Sequence, residues 1–424
     1  MVSVSDRVIH QAAMEEAARR ERMRAAWAAY HGDTPGPLRI RPGAPDDNVR
    51  VNYARYIVDS GVSFLVGGGV SIRPDEALPA AASRWLQSAW TANRKATLLH
   101  RLVTNGAVCG QAFLKMARPA IHGGMPRLII LDPMTVQVRW EPDDWERIVR
   151  YEILWDGIDP VSGRAAAFRQ LIDRRRDAQG WTILDQRSDG DDVRWHTTAA
   201  EIWPFPWSPV LGCQNLPAAN EYWGRSDLEP DVLALCRSID FVLSNAARIL
   251  RFHAHPKMWG HGFSAEGLSL GPDEVTILPQ RDAALHLLEM QGDLGSSMDL
   301  YARLLEALHE TARVPAHAAS SLQGLGRLSG VALRLLYQPL MEKTMTKRML
   351  YGELLVEASR RLLEMGGYEP AGIEIEWPSV APTDPLEEAR TALLYRDLGM
   401  SSEAALRRLG LAERSEGGCP DDST

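Results

Sequence analysis

A series of seven apolar residues between positions 228 and 249 constrains the fold more than any other feature of the sequence. Its members are separated alternately by four and three residues, a spacing typical of a helix that packs along its whole length. They are Leu228, Val232, Leu235, Ile239, Val242, Ala246 and Ile249. Because further apolar residues lie off the series, the helix needs neighbours on more than one side. A buried helix within one domain and a helix packed between copies of itself both remain open.

The series predicts a helix that begins at Ser226, with Pro230 near its start, and ends before His255-Pro256. A second helix is predicted over 296–314. The two helices bracket an insert of about 40 residues, which is long for a connection. The chain is therefore expected to form a helix, a small module and a helix that returns.

Elsewhere the pattern alternates between helical and extended segments. Further helices are predicted over 5–30, 51–65, 75–105, 329–365, 384–397 and 401–409. Short β-branched and aromatic runs between Ala112 and Thr197, and another at Ile373–Trp377, predict strands. Residues 200–223 are interpreted as a packed irregular segment. Because proline removes a donor and clashes with the preceding turn, Pro339 predicts a kink in the long helix. The fold class is α+β.

The composition allows a sizeable core but not a uniformly basic surface. The chain is 45% hydrophobic and 24% charged. Because its net charge is -8, the chain as a whole is not a basic protein that binds DNA through its phosphates. The cysteines, Cys109, Cys213, Cys236 and Cys419, lack zinc-site spacing and are interpreted as free thiols in a reducing compartment. No apolar run is long enough to cross a bilayer and the amino terminus lacks a signal-peptide pattern, so we expect no membrane partner.

Patterns that carry catalysis are missing from the sequence. The glycine run 67–69 lacks the Lys-Ser/Thr of a phosphate-binding loop and is interpreted as a turn. His253, His255 and His261 straddle a proline and a glycine without a firm ligand geometry. The charged run 173–177 is interpreted as a turn as well. We therefore predict a protein that is not an enzyme and has no cofactor and no metal.

Short motifs around the helix–insert–helix pattern occur in the order found in the portal proteins of tailed bacteriophages. They are Asn52-Tyr53, Ile57-Val58-Asp59 and Phe64-Leu65-Val66-Gly67; Asn105-Gly106, Gly110-Gln111-Ala112-Phe113 and Leu131-Asp132-Pro133; Gly224-Arg225-Ser226-Asp227-Leu228; Val314-Pro315 and Leu328-Ser329-Gly330-Val331-Ala332-Leu333; and Pro382-Thr383-Asp384, Leu398-Gly399-Met400-Ser401 and Ala404-Ala405-Leu406. Over most of residues 50–412 the chain thus resembles this family, the head-to-tail connectors of long-tailed phages.

The resemblance implies a portal-like subunit with a mixed α/β wing, a two-helix stem, a small α/β clip, a long kinked helix and a helical crown. By position these are wing 1–223, stem helices 224–255 and 296–314, clip 256–295, tunnel loop 315–330, long helix with a wing strand 331–380, crown 381–412 and a disordered tail 413–424. The implied assembly is a homo-oligomeric ring, usually a dodecamer, assembled in the host cytoplasm and placed at the portal vertex of the virion capsid.

The implied partners are double-stranded DNA bound without sequence specificity, the terminase large subunit, head-tail connector or adaptor proteins, and the major capsid and scaffold proteins. The terminase, which supplies the ATPase, would dock on the clip. An alternative is another phage structural component, such as a minor capsid or adaptor protein. A soluble hydrolase with an unrecognised site is a third hypothesis.

Two sets of site residues follow from the resemblance. The apolar series 228–249 is assigned to subunit contacts. The part of the tunnel loop assigned to the DNA channel is Leu322, Gln323, Gly324, Leu325, Gly326, Arg327 and Leu328. Arg327 is the only charged side chain in the loop if His317 is neutral, and it is expected to make one weak, salt-sensitive phosphate contact.

Overall fold

The computed structural model has the predicted mixture of helices and strands. It describes residues 4–43, 45–75, 78–119, 121, 123–160, 162–175, 180–189, 194–254, 257–261, 282–288, 294–315, 330–370, 372–378, 385–402 and 404–405. The helices are α1 (Val4–His31), α2 (Tyr53–Val62), α3 (Ala80–Ala92), α4 (Lys95–Cys109), α5 (Pro230–Ala254), α6 (Leu294–Ala312), α7 (Gly330–Met365) and α8 (Pro385–Asp397). The α+β class is therefore confirmed.

The strands form two ribbons and two larger sheets. They are β1 (Ser71–Pro74), β2 (Gln111–Ala117), β3 (Arg127–Leu131), β4 (Val136–Glu141), β5 (Asp144–Ile158), β6 (Ala165–Arg174), β7 (Trp181–Asp189), β8 (His196–Trp203), β9 (Val210–Gln214), β10 (Lys257–His261), β11 (Ala284–Leu288) and β12 (Ile373–Glu376). The ribbons pair β1 with β12 and β10 with β11, and the sheets have the orders β3-β2-β9 and β4-β5-β6-β7-β8, all antiparallel.

The chain divides into two compact units. The first contains Met1–Val314 and Thr344–Pro378, and the second contains Pro315–Lys343 and Ser379–Thr424. The long helix α7 contributes residues to both units.

Two predicted segments differ from the structure. The helix expected over 75–105 is two helices, because the chain turns at Arg94, whose φ of 52° lies in the left-handed region. The segment expected to be irregular, 200–223, contains the end of β8 and all of β9. Pairing with β2 holds β9 in a sheet although proline and glycine surround it, which illustrates how tertiary contacts override local propensity.

The long helix has its predicted length and its predicted end. It continues without a break through Pro339, so a bend at that residue stays a prediction. At its carboxyl end Gly367 has a φ of 77°, and the amide of Tyr368 donates to the carbonyl of Leu363 at 2.9 Å. This is a left-handed glycine cap, and the helix ends at Met365, where the sequence predicted its end.

The main apolar core of the sheets follows from alternation along the strands. The cross-strand row Val138, Tyr151, Ile172 and Ile183 runs across β4 to β7 and is buried. Phe113 on β2 and Trp203 on β8 pack into the same cluster. Because side chains alternate between the two faces of a strand, the residues next to this row lie on the opposite face of the sheet.

The turn that leads into α5 is the polar centre of the first unit. Ser226 accepts the amide of Leu228 at 2.9 Å, and Glu229 accepts the amide of Ser226 at 3.0 Å, which is a capping-box arrangement. The helix itself begins at Pro230 rather than at the predicted Ser226. Proline is favoured in the first helical turn because its missing amide would have had no partner there.

A buried ion pair ties this turn to the long helix. Lys347 Nζ donates to Asp227 Oδ2 at 2.6 Å, and the two side chains are 2% and 0% exposed. The other carboxylate oxygen of Asp227 accepts a hydrogen bond from the side-chain amide of Asn215 at 3.2 Å. The hydroxyl of Tyr351 donates to the side-chain oxygen of Asn215 at 3.4 Å.

Helix α4 also contacts these residues, because its backbone lies close to Asp227 and Tyr351. The backbone amide of Asp227 donates to the carbonyl of Ala107 at 2.8 Å, and a β-carbon at Gly106 would overlap the hydroxyl of Tyr351. The junction, defined as Asn215, Asp227, Lys347 and Tyr351, thus joins β9, α4, α5 and α7 by specific contacts.

We predict that Lys347→Met lowers the free energy of unfolding by about 3–5 kcal/mol, because it leaves the Asp227 carboxylate buried without a countercharge. The double variant with Asp227→Asn is expected to regain part of that loss, since no bare charge then remains. Urea denaturation of the full chain measures both variants.

The matched control is Glu306→Gln, which removes a partner from the exposed Arg303–Glu306 pair, 3.1 Å apart. Exposed pairs contribute little, so its unfolding midpoint should stay that of the unaltered chain. A Lys347→Met midpoint equal to that of the control would contradict a structural role for the buried pair.

Candidate functional site

Helices α5 and α6 form a packed pair, and a two-stranded ribbon lies between them along the chain. The two helices pack directly on one another. The ribbon pairs β10 with β11, and residues 262–281 between its strands lie outside the described residues. The predicted order of helix, small module and returning helix is present in the described part of the chain. At 1.5 Å per residue, α5 is roughly 37 Å long.

The apolar series on α5 belongs largely to the core of the subunit itself. Leu228, Val232, Ile239 and Ala246 are buried within the isolated chain, with Ile239 at 0% exposure. The helix packs against α6, α2 and α1. These four side chains therefore have no surface to offer a second copy. The partly buried members, Leu235, Val242 and Ile249, keep the predicted assignment open.

A second face of α5 is covered by the segment 47–51, which lies along the helix. Asp240 accepts the amide of Val51 at 2.9 Å, and Ser244 accepts the amide of Val49 at 2.9 Å. One turn further, Arg248 donates to Asp47 at 3.2 Å. Three polar residues spaced four apart thus hold the connector in place. Burial raises the pKa of Asp240, and the hydrogen bond from Val51 opposes that effect.

The remaining face of α5 is exposed and carries the charged side chain of Arg237 beside its uncharged residues. Ala234, Ser238 and Phe241 lie on it at a spacing of four and three. The phenyl ring of Phe241 is 49% exposed. Helix α6 also exposes apolar side chains, at Met298 and Leu300. A helix face with an exposed aromatic ring is suited to contact with another protein surface.

The base of α6 is fixed to α2 by a pair of tyrosines. The hydroxyls of Tyr53 and Tyr301 are 3.1 Å apart. Burial raises the pKa of Tyr53, and the hydrogen bond to Tyr301 adds to that effect. The raised pKa keeps the Tyr53 hydroxyl protonated near neutral pH. The contact anchors the returning helix to the body of the first unit.

The end of α6 leads directly into the predicted tunnel loop. Arg313 adopts a left-handed φ of 55°, and the amide of Val314 donates to the carbonyl of His309 at 3.1 Å. The ring of His309 makes a further contact, 3.0 Å from Nδ1 to the carbonyl of Val314. The assigned channel residues 322–328 lie outside the described residues, so the channel assignment stays a prediction.

The exposed face of the ribbon carries a stack of three rings. Trp259 and His286 are cross-strand partners with ring centroids 4.7 Å apart, and His261 continues the stack. His261, which the sequence offered as a possible metal ligand, is thus part of an aromatic stack. His255 lies outside the described residues. The described part of the chain holds no group of three or more His, Cys, Asp or Glu side chains arranged to ligate a metal.

The three described cysteines are free thiols, as predicted. Burial raises the pKa of Cys109 to about 12 and that of Cys236 to about 12. Burial raises the pKa of Cys213 too. Thiols held protonated are poor nucleophiles, so these side chains serve packing. Among the described helices, none combines the length and the apolar character needed to cross a membrane.

Sequence reasoning missed two features of this region. The first is Lys347, whose signal was its position in the buried series Thr344, Lys347, Tyr351, Leu354 and Ala358 of α7. A lysine on the apolar face of a helix needs a buried partner. The second is the exposed face of α5, which the strict spacing of the apolar series concealed.

Comparison with solved structures gives a distant similarity. A chain of the structure described as "Neck of empty GTA particle computed with C6 symmetry" is 15% identical, with 85% of this chain and 89% of that chain covered and a TM-score of 0.41. No curated protein matches the chain.

Comparison with family models gives a match to the family described as "Phage portal protein, SPP1 Gp6-like", over residues 231–416. The matched region begins in α5 and includes α6, α7, β12 and α8. Over residues 231–416 this match confirms the resemblance inferred from the sequence motifs.

Proposed function

We propose that the chain is the subunit of a phage portal ring at the capsid vertex, through which double-stranded DNA passes during packaging and ejection. The observation that carries the proposal is the portal-family match over residues 231–416, which includes both helices of the α5–α6 pair. In this proposal α5 and α6 form the stem, and residues 256–295 form the clip on which the terminase large subunit docks. Head-tail connector, major capsid and scaffold proteins would contact other parts of the ring.

The exposed face of α5 supports a ring of subunits. Copies arranged around an axis contact one another through two different surfaces, one from each neighbour. The face that contains Ala234, Ser238 and Phe241 is one such surface, since its phenyl ring is half exposed. We therefore place the subunit contact on this face and leave the buried members of the apolar series to the subunit core. A dodecamer is the copy number that the family resemblance favours.

The overall charge of the chain supports a conduit rather than a tight DNA-binding protein. The net charge is -8, and each phosphate that a protein neutralises adds affinity. DNA that must move through a channel would be trapped by many such contacts. The loop 315–330, with Arg327 as its only charged side chain if His317 is neutral, is assigned to touch the duplex without reading its bases.

Another phage structural protein, such as a minor capsid or adaptor protein, is the second candidate. The same family match counts against it, since the matched region includes the paired helices. The two candidates differ in whether the chain alone closes into a ring with an axial hole.

We predict that Phe241→Glu abolishes ring assembly while the subunit stays folded, because the charge is tolerated in water but not in a desolvated contact. Ile239→Asp, two residues away, should instead unfold the subunit, since it buries a charge in its core. Mass photometry measures assembly, and circular dichroism measures folding.

The control is Gln87→Glu, which adds the same side chain to an exposed position of α3. It should assemble as the unaltered chain does. Rings of unaltered mass from Phe241→Glu would remove the α5 face from the subunit contact.

We predict that Arg327→Ala and deletion of residues 321–326 each leave rings intact and impair DNA packaging or retention. The loop is assigned to the channel rather than to subunit contacts, so only the passage of DNA should suffer. Packaging in a reconstituted system measures the effect, and mass photometry checks the rings. Full packaging by both variants would contradict the channel assignment.

A further inference from the structure

A cleft of about 670 Å³ opens on the five-stranded sheet near the turn between β4 and β5. Its lining is almost entirely charged. The lining residues are Arg139, Glu141, Val149, Arg150, Asp173, Arg174 and Arg175. Four guanidinium groups and two carboxylates therefore line the cleft, on a chain whose net charge is -8.

The strand register puts three of these residues in one row. Arg139 on β4 is the cross-strand partner of Arg150 on β5, which is the partner of Asp173 on β6. The adjacent row, Val138 and Tyr151, belongs to the buried core. Cross-strand partners share a face, and successive residues alternate between faces. The arginine row therefore lies on the face of the sheet opposite to that core.

The two carboxylates of the cleft are already engaged. Arg150 pairs with both oxygens of Asp173, and its Nη2 lies 3.0 Å from Oδ2. Arg174 pairs with Glu141 at 3.3 Å. The pairing raises the pKa of Arg150.

The guanidinium of Arg139 is exposed and makes no ion pair with any residue that the structure describes. Like charges placed directly opposite one another on adjacent strands destabilise a sheet. An anion bound between Arg139 and Arg150 would relieve that repulsion.

We propose that this arginine cleft binds the phosphates of a nucleic-acid backbone, with Arg139 in direct contact. Guanidinium groups present several donors in a planar fork that matches two oxygens of one phosphate. An open cleft on a sheet face suits a long polyanion that lies across it and is bound without base contacts. The choice of duplex DNA over other polyanions rests on the proposed function, whereas the anion chemistry of the cleft does not.

The test is duplex binding by the full chain with residues 321–326 deleted and Arg327→Ala, so that the assigned channel loop does not contribute. Fluorescence anisotropy of a short labelled DNA duplex is measured over a series of salt concentrations. Arg139→Gln should weaken binding by about twofold to fivefold, the range of one exposed ion pair. It should also lower the slope of log affinity against log salt by about 1, the contribution of one phosphate contact. Arg139→Glu should weaken binding further.

The matched control is Arg127→Gln, which removes an exposed arginine from β3 in the other sheet. It should bind the duplex as the unaltered chain does. Arg139 variants that bind the duplex as the control does would overturn the proposal. If inorganic phosphate competes for the cleft with an affinity equal to that of the duplex, the cleft is a site for free anions. That result would overturn the nucleic-acid assignment.

Ring assembly of Arg139→Glu separates this inference from a contact between subunits. Intact rings with weakened duplex binding support the cleft as a DNA site. Loss of rings with unchanged duplex binding would assign the cleft to a second copy of the chain and overturn the proposal. If the unaltered chain forms no rings, and Arg139→Gln still weakens its duplex binding, the proposed function is contradicted. The assignment of the cleft as a DNA site then still stands.

Discussion

The ion pair between Asp227 and Lys347 is the interaction on which the first unit depends most. It joins the turn before α5 to α7 through a contact of 2.6 Å that is closed to solvent. Burying two charges is costly unless each is paired and hydrogen bonded. Here Asn215 satisfies the second carboxylate oxygen. The arrangement fixes the direction in which α5 leaves the body, because the turn 226–229 is held by its own capping box and by the carbonyl of Ala107.

The rest of α5 is divided among three surroundings. Its apolar series packs inside the subunit, its polar residues Asp240, Ser244 and Arg248 hold the connector 47–51, and Phe241 marks the face left open. This division explains why the helix is apolar on more than one side without every side being a subunit contact. It also moves the proposed ring contact from residues that the chain buries itself to residues that it exposes.

Much of the fold was predictable from local patterns, and the departures have identifiable causes. The carboxyl end of α7 was predicted at its observed place, where Gly367 caps the helix. The strands of the five-stranded sheet follow from short β-branched and aromatic runs. The turn at Arg94 was not predictable, because a left-handed arginine has no local signal. Strand β9 was missed because its pairing with β2 is a long-range contact. The apolar series was identified correctly, but the spacing alone does not say whether the partner is the same chain or another.

The candidate site was only partly predictable for the same reason. The family resemblance identified the helix pair and the loop, yet the exposed face of α5 and the arginine row required the three-dimensional register. The run 173–177 was interpreted as a charged turn, whereas Asp173 and Arg174 end strand β6 and line the cleft with Arg139 and Arg150.

The proposed portal function requires that this chain alone closes into a ring around an axial channel. Electron microscopy of the purified full chain, with its mass measured by mass photometry, is the most direct test. We expect closed rings with a central hole and a mass that is a whole multiple of the 47.0 kDa subunit. Particles without a hole, or a chain that stays monomeric at all concentrations tested, would contradict it.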